Sequence, residues 1–550
     1  VTLIQTVEEK LNFEQRVWNK KFFNIPAGDD FACALIRGLE FRLQRQGRNH
    51  PDRFADCVII MNNARSKRRL EEKFYEKRIN ILPRIGLVTD LSFLVNGLVE
   101  PAKKLTLESK VEKLLNLESL ISSYLKEIGY RDYKKNSFEL ASVLDKLFRE
   151  MVLSGLDLDA FDKVDSLNLS NHWQQSLGFI KIVEQYKSNL EKQNTLDQES
   201  FNLSILELIE KEWKICPPKF PIIVAGSTGS RYPTSRLMNA VINLPEGYVV
   251  LPGLDNLLSD SEWKQVKPDH PQYSFKKLFN FINNDNIDNT TIKLIKNWTA
   301  DHRTKAVKSR AKFLSFMMLP ASHIGKWYDS NSELKPILAS AFEDVSIIES
   351  SSDRQESENI ALAIRINLQN QKSVSLVTDD KKLAKMVSIA LKKWGIVPDN
   401  SFGEDPLQTL TSRFIRLILD FQCSKFDIVK FLALLKHPLC LNGNRTIHLN
   451  CLRQLEVKFL RGNFFELDIH VLQRVISSQE NEVGKEYEFS DWYAWINEVI
   501  EAKIFLNKKR NSNQLKNHLE SFEHLLGLFL GISRTKEKSN RISGEKIWKT

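Results

Sequence analysis

The stretch that most constrains the fold is Ile222-Ile223-Val224-Ala225-Gly226-Ser227-Thr228-Gly229-Ser230, a continuous apolar run of strand length that enters a Gly/Ser turn. A strand apolar on both faces belongs in a parallel sheet covered by helices on each side. The same run also limits the chemistry. A nucleotide-driven motor places its metal-holding acid directly after such a strand, and Ala225-Gly226-Ser227 offers no carboxylate.

The pattern repeats along the chain. Residues 1–20 read as a helical lead-in, and Phe22-Phe23-Asn24-Ile25 followed by Pro26-Ala27-Gly28-Asp29-Asp30 reads as strand, turn and helix, with Asp29 or Asp30 able to cap the helix. Cys57-Val58-Ile59-Ile60-Met61 predicts a second buried strand, with a helix from Asn62-Asn63 to Phe74, and Leu82-Pro83-Arg84-Ile85 starts a further connection. From about 105 to 215 apolar residues recur at helical spacing, as at Leu114, Leu117, Leu120 and Ile121, then Leu140, Val143, Leu144 and Leu147. The α/β pattern resumes at Pro221–Val224 and again at Tyr248–Leu251. A polar stretch at 283–291 marks a loop before the basic segment 303–312. A second α/β unit is expected next, with strands at 345–348 and 374–377, a helix at 356–368, and a helix whose stripe is Leu383, Met386, Val387, Ala390 and Leu391. From about 407 onward the sequence is almost entirely helical and shows no internal repeat.

Composition fits a water-soluble chain of roughly three to four domains: 42% of its 550 residues are hydrophobic, 27% are charged, and no apolar run reaches spanning length. The six cysteines are scattered without CxxC pairs and sit mostly in apolar surroundings, which points to a reducing, cytoplasmic setting with no membrane association. No signal peptide opens the sequence. Val1 in place of Met and the uncapped end at Trp548-Lys549-Thr550 read as cut termini, so a fragment is expected. The net charge of +10 is compatible with a polyanionic partner, and equally with a sequence that is lysine-rich throughout.

Several catalytic classes are disfavoured by pattern. No G-x-x-x-x-G-K-[ST] string is present, and at the place of a phosphate loop Gly28 is followed by Asp29 and Asp30, which repel phosphate. Gly325-Lys326 and Gly484-Lys485 lack the flanking glycine and hydroxyl. Glu456-Val457-Lys458 matches half of a magnesium nuclease motif but lies in a helical pattern instead of on a strand. The ten histidines, His270 and His437 among them, show no metal-binding spacing, and no G-x-S-x-G elbow occurs.

Two groups remain as candidate DNA contacts. Arg65, Arg68 and Arg69, with Lys67 beside them, follow the strand ending at Met61, where α/β sheets bind ligands; they suit a single-strand backbone track, or are a solvated helix face. Ser227, Thr228, Ser230 and Arg231 either form a backbone nest for a phosphate oxygen or are a tight turn whose glycines allow close packing. The basic segments 303–312 and 508–510 are weaker candidates. Gly28, Asp29, Asp30, Ala225 and Gly226 mark degenerate nucleotide-site positions.

With these residues in hand, the chain resembles the AddB family, subunits of the AddAB helicase–nucleases, in the form typical of alphaproteobacteria. The matching strings are 25–28 (IPAG), 82–85 (LPRI), 172–174 (HWQ), 225–230 (AGSTGS), 250–255 (VLPGLD), 270–272 (HPQ), 376–379 (LVTD) through 394–396 (WGI), and 436–439 (KHPL). They run in order along almost the whole chain. The resemblance implies tandem RecA-like domains of the UvrD-type superfamily 1 helicase kind with large α-helical insertions. On that reading 1–104 and 216–335 form the first RecA-like domain and its connection, interrupted by a helical insertion at 105–215. Residues 336–425 form the second RecA-like domain, and 426–550 a further helical insertion that stops before the family's nuclease domain. Magnesium and an iron–sulfur cluster belong to that later PD-(D/E)xK domain, so no cofactor is expected here. Val377-Thr378-Asp379-Asp380 also lacks the arginine that such motors set against a γ-phosphate.

The resemblance therefore implies a DNA-holding, non-motor part of a complex for double-strand break repair and recombination-hotspot scanning, partnered by an AddA-type subunit and by single- and double-stranded DNA. Two other readings stay open: an active ATP-dependent helicase with a divergent nucleotide site, and a structural scaffold that docks a partner without touching DNA.

Overall fold

The computed structural model describes residues 21–531 apart from 96–105, 157–181, 284–291, 293–294, 441–443, 462–468, 483–486, 509–514 and some isolated one- and two-residue gaps. The expected lead-in at 1–20, the loop at 283–291 beyond Asn283, Gly484-Lys485, Lys509-Arg510 and the string 172–174 lie outside the described residues. The chain divides into two compact units, 1–346 and 347–550.

The first unit is built on a six-stranded sheet. Its strands are β1 (Phe22–Ile25), β2 (Val58–Met61), β3 (Arg84–Leu87), β6 (Ile222–Ala225), β7 (Gly247–Pro252) and β8 (Lys296–Asn297). They lie in the order β3-β2-β6-β7-β1-β8, and every pairing is parallel. All four residues of β2 and of β6 are buried, as continuous apolar runs require. Between the two halves of the sheet, β4 (Thr106–Leu107) pairs in parallel with β5 (Thr195–Leu196) to make a small separate ribbon.

Helices cover both faces. The helix α1 (Phe31–Arg45) follows β1, and α2 (Ala64–Glu76) follows β2. Both pack on one face, where Leu35, Leu39, Leu70 and Phe74 meet Ile59, Met61, Ile223 and Val250. The insertion contributes α3 (Lys110–Glu127), α4 (Tyr133–Ser154) and α5 (Gln198–Ile215), and the sheet then continues with α6 (Tyr232–Ile242), α7 (Asp260–Lys264) and α8 (Tyr273–Asn283). On the second face Ile205, Leu237, Val241 and Leu278 meet Val58, Ile60, Ile222, Val224, Val249 and Leu251. In the insertion, Leu117, Ile121, Leu144 and Phe148 are buried together, whereas Val143 and Leu147, which share their spacing, are exposed.

At the β8 edge Trp298 donates its indole N–H to the Leu35 carbonyl (2.9 Å), and its ring lies where a side chain on Gly38 would stand, 2.2 Å from an ideal Cβ. Arg42 stacks over that ring, 3.5 Å from its centroid, and burial lowers its guanidinium pKa to about 10. The unit ends with α9 (Lys305–Met317), α10 (Lys326–Asp329) and α11 (Asn331–Ala341), where Arg310 donates to the Ala341 and Glu343 carbonyls at the end of α11.

The second unit departs from the expectation of an α/β domain. Among the described residues it contains helices α12 (Asp353–Gln369) and α13 (Lys381–Lys392) but no strand. The runs 345–348 and 374–377 are without strand or helix assignment, and Ile347 is 88% exposed and Val377 93%. Strand composition alone does not make a strand, which needs a ladder partner for its N–H and C=O groups. The helices themselves follow the expected stripe, since Val387, Ala390 and Leu391 pack on Ala361. Beyond them α14 (Leu410–Cys423), α15 (Ile428–Lys436), α16 (Arg445–Leu455), α17 (Ile469–Glu482), α18 (Tyr487–Lys508) and α19 (Leu515–Phe529) enclose one apolar core.

Candidate nucleic-acid interface

Crossovers fix where a ligand can sit. The links from β1 to β2 and from β2 to β3 run toward one edge of the sheet over α1 and α2, whereas those from β6 to β7 and from β7 to β8 run toward the other edge on the opposite face. The chain therefore parts to opposite faces at two places, between β7 and β1 and between β2 and β6. Each leaves a crevice at the carboxyl ends of the strands, where open α/β sheets bind ligands.

The turn at Gly28–Asp30, expected from the sequence to be a degenerate nucleotide loop, lies beside the first crevice, and the protein's own groups fill it. Gly28 adopts φ +89°, and an ideal Cβ there would stand 2.4 Å from Val307 of α9. Arg303 donates from Nη1 to the Ala27 carbonyl (3.0 Å) and holds Asp301 with Nε and Nη2 (3.0 Å each), which lowers the Asp301 pKa to about 2. Asp30 accepts the Cys33 backbone N–H (3.0 Å) at the start of α1, and its other oxygen lies 3.7 Å from Arg69. Burial works to raise the Asp30 pKa, but the hydrogen bonds from Cys33 and the charges of Arg69 and Lys73 outweigh it, so the carboxyl titrates below its usual value. Asp29 pairs with Arg37 (3.3 Å). The helix start that would cradle a phosphate thus carries a fixed carboxylate instead.

Beside the second crevice, Gly226 (φ +75°) backs onto Phe31 and Met61, whose atoms would lie 3.3 and 3.9 Å from an added Cβ, and Gly229 (φ +65°) packs against Leu278. Ser227 is buried and accepts the Gly229 N–H (3.2 Å), while Thr228 and Ser230 are half-buried. Arg231 is exposed at the start of α6, which has no side-chain cap. Both glycines are accounted for by backbone conformation and close packing.

The basic cluster on α2 is largely paired. Lys67 lies 3.9 Å from Glu71, Arg68 3.3 Å from Glu72, and Arg69 3.8 Å from Glu72 in addition to its contact with Asp30. Arg65 is exposed on the same helix. The structure thus joins Arg69 to Asp30 and Gly226 to Phe31, linking groups that lie far apart in sequence.

What pattern reading missed is a cavity of about 460 Å³ at the β7/β1 crevice, walled by the ends of those strands, the segment 270–272 and α9. Asn24, almost fully buried, fixes its floor by donating to the Leu254 carbonyl and accepting the Leu254 N–H (2.9 Å each). Its lining comes from the basic segment 303–312 and from the strings at 25–28, 250–255 and 270–272, which lie far apart in sequence. The remaining motif candidates have structural roles. Lys326 pairs with Glu262 (2.6 Å), and Glu456, at the start of a π-helical turn (Glu456–Leu460), accepts from Lys436 (2.6 Å) and Arg461 (3.0 Å). His270 meets the Met318 carbonyl.

Among the described residues no three His, Cys, Asp or Glu side chains are grouped to hold a metal, and no helix is long and apolar enough to cross a membrane. No family model matches the chain, and no curated protein sequence does.

Proposed function

We propose that this chain is the DNA-holding, non-motor, helicase-like part of a cytoplasmic helicase–nuclease acting in double-strand break repair and recombination, with an AddA-type subunit as the engine. One observation carries the non-motor reading: at the nucleotide loop Asp30 caps α1 and Val307 packs on Gly28, so a triphosphate meets a carboxylate and a side chain where it needs amides and a lysine. The parallel sheet, with β7 between the strand leading to Gly28 and the strand leading to Gly226, supports a RecA-like origin for the first unit. Crevices at the strand ends, with Arg65, Lys67, Arg68, Arg69 and Arg231 near them, support a backbone track for single-stranded DNA.

Fluorescence anisotropy of labelled single-stranded and forked DNA across a salt series tests this reading. Binding that weakens steeply with salt and is indifferent to ATP and magnesium is expected. ATP turnover lost on substitution at Gly28 would instead establish an active helicase. A scaffold that docks a protein partner is the second reading, favoured by the ion pairs that already engage Lys67, Arg68 and Arg69. Absence of DNA binding at low salt leaves that reading standing.

A further inference from the structure

The cavity at the β7/β1 crevice is walled on one side by Pro26, Ala27 and Leu254 and on the other by Ala311 and Leu314 of α9 and by Met318 just after it. Its floor is rigid because Asn24 and the Leu254 backbone satisfy each other. Its volume of about 460 Å³ lies within the range of pockets that enclose small organic ligands.

The charged residues of the lining are Asp255, Asp301, Arg303, Lys308 and Lys312, of which Asp301 and Arg303 hold each other. Lys308 and Lys312 stand one turn apart and both line the cavity. Like charges at this spacing disfavour a helix, so an anionic partner relieves a repulsion that the apo protein carries. Lys308 reaches Asp301 at only 3.6 Å, and that carboxylate is already held by Arg303 on two hydrogen bonds. Asn297, which is exposed, and Ser315, which is half-buried, also line the cavity and add polar groups able to meet a base edge.

Resting on the DNA-holding reading, we infer that this cavity receives one nucleotide unit, its base unstacked against the Leu254 and Leu314 walls and its phosphate on Lys308 and Lys312. The shared chemistry is that of a nucleotide, whether in a strand or free, and the arms of the test separate the two.

The probe is an oligothymidylate carrying a single 2-aminopurine, whose fluorescence rises when its base leaves the stack. With the full chain at low salt, binding should brighten the probe. Ala311→Trp, which fills the cavity, should remove the brightening and weaken binding about tenfold, the scale of one lost stacked base. Should Ala311→Trp fail to fold, the surface pair Lys308→Glu and Lys312→Glu carries the test, with the same two losses expected. Folded variants that bind and brighten as the parent does would overturn the assignment while leaving DNA holding intact. If the oligonucleotide does not bind but deoxyadenosine monophosphate raises the thermal midpoint of the parent and not of Ala311→Trp, the cavity assignment stands with a free nucleotide as ligand, and DNA holding falls. If neither probe binds, both fail.

Discussion

Lys503 shows how a single charge is tolerated inside the second unit. It is fully buried on α18, donates to the Phe421 and Gln422 carbonyls at the end of α14, and lies 5.2 Å from the Phe421 ring centroid. A helix end leaves carbonyls without intrahelical partners, and here the ammonium supplies the donor. Lys503→Met keeps the packing volume but orphans those carbonyls, and should lower unfolding stability by about 1–3 kcal/mol, read from the urea midpoint. His448 makes a second buried polar link. Its Nε2 contacts the Leu435 carbonyl (2.9 Å) and its Nδ1 accepts from the Trp492 indole (3.1 Å), which requires the neutral ring protonated on Nε2. Burial lowers its pKa, opposed by the Leu435 hydrogen bond, with Arg445 lowering it further. The unfolded chain therefore takes up a proton before the fold does. Stability should be flat above the ordinary histidine range and fall as pH drops below about 6.5. His437, also lowered by burial, adds to the same slope. Urea midpoints at pH 7.5 and 5.5 check this, and His448→Gln should shrink the difference between them.

At the scale of elements, legibility followed burial. β2 and β6 could be read because both faces are covered, leaving an unbroken apolar run. β8 could not: Lys296-Asn297 is an exposed edge with no apolar pattern, and only its pairing with Phe23-Asn24 makes it a strand. The converse error came at 345–348 and 374–377, whose composition is that of buried strands but which lack strand pairing. For the candidate site, carboxylates at the start of α1 were legible as Asp29-Asp30, because their charge depends on residue type alone. That Val307 covers Gly28, or that Arg69 turns to Asp30, depends on contacts across long stretches of chain that periodicity does not encode. The exposed apolar runs have a consequence for handling. Extended segments with open edges promote association between chains, and inserted charge suppresses it. Ile347→Lys with Val377→Lys should raise the soluble fraction and the aggregation temperature with little change in helical circular dichroism. A drop in helix content on substitution would show that these residues support α12 and α13 instead.

For the whole molecule, the +10 charge matters only insofar as the surface presents cations that a polyanion can reach. The pairs on α2 are mostly exposed: the Arg68 side chain is 79% accessible and that of Glu72 is 47%. Such pairs contribute little in water, on the order of 0–1 kcal/mol. A phosphate can therefore displace the glutamate at small cost, so ion pairing in the unbound protein favours the scaffold reading only slightly over a DNA track there. The scaffold and DNA-holding readings separate on this point. If α2 tracks a single strand, each cation removed releases one fewer counterion, and the slope of log K against log salt should flatten by roughly 0.7 per residue. The triple variant Arg65→Gln, Lys67→Gln, Arg68→Gln should accordingly reduce the slope by about 2. Arg69 is left in place because it also neutralises Asp30 at the start of α1. An unchanged slope in a folded triple variant would move the track away from α2 to the basic wall of α9, whereas loss of affinity at constant slope would point to a distorted helix and not to lost phosphate contacts.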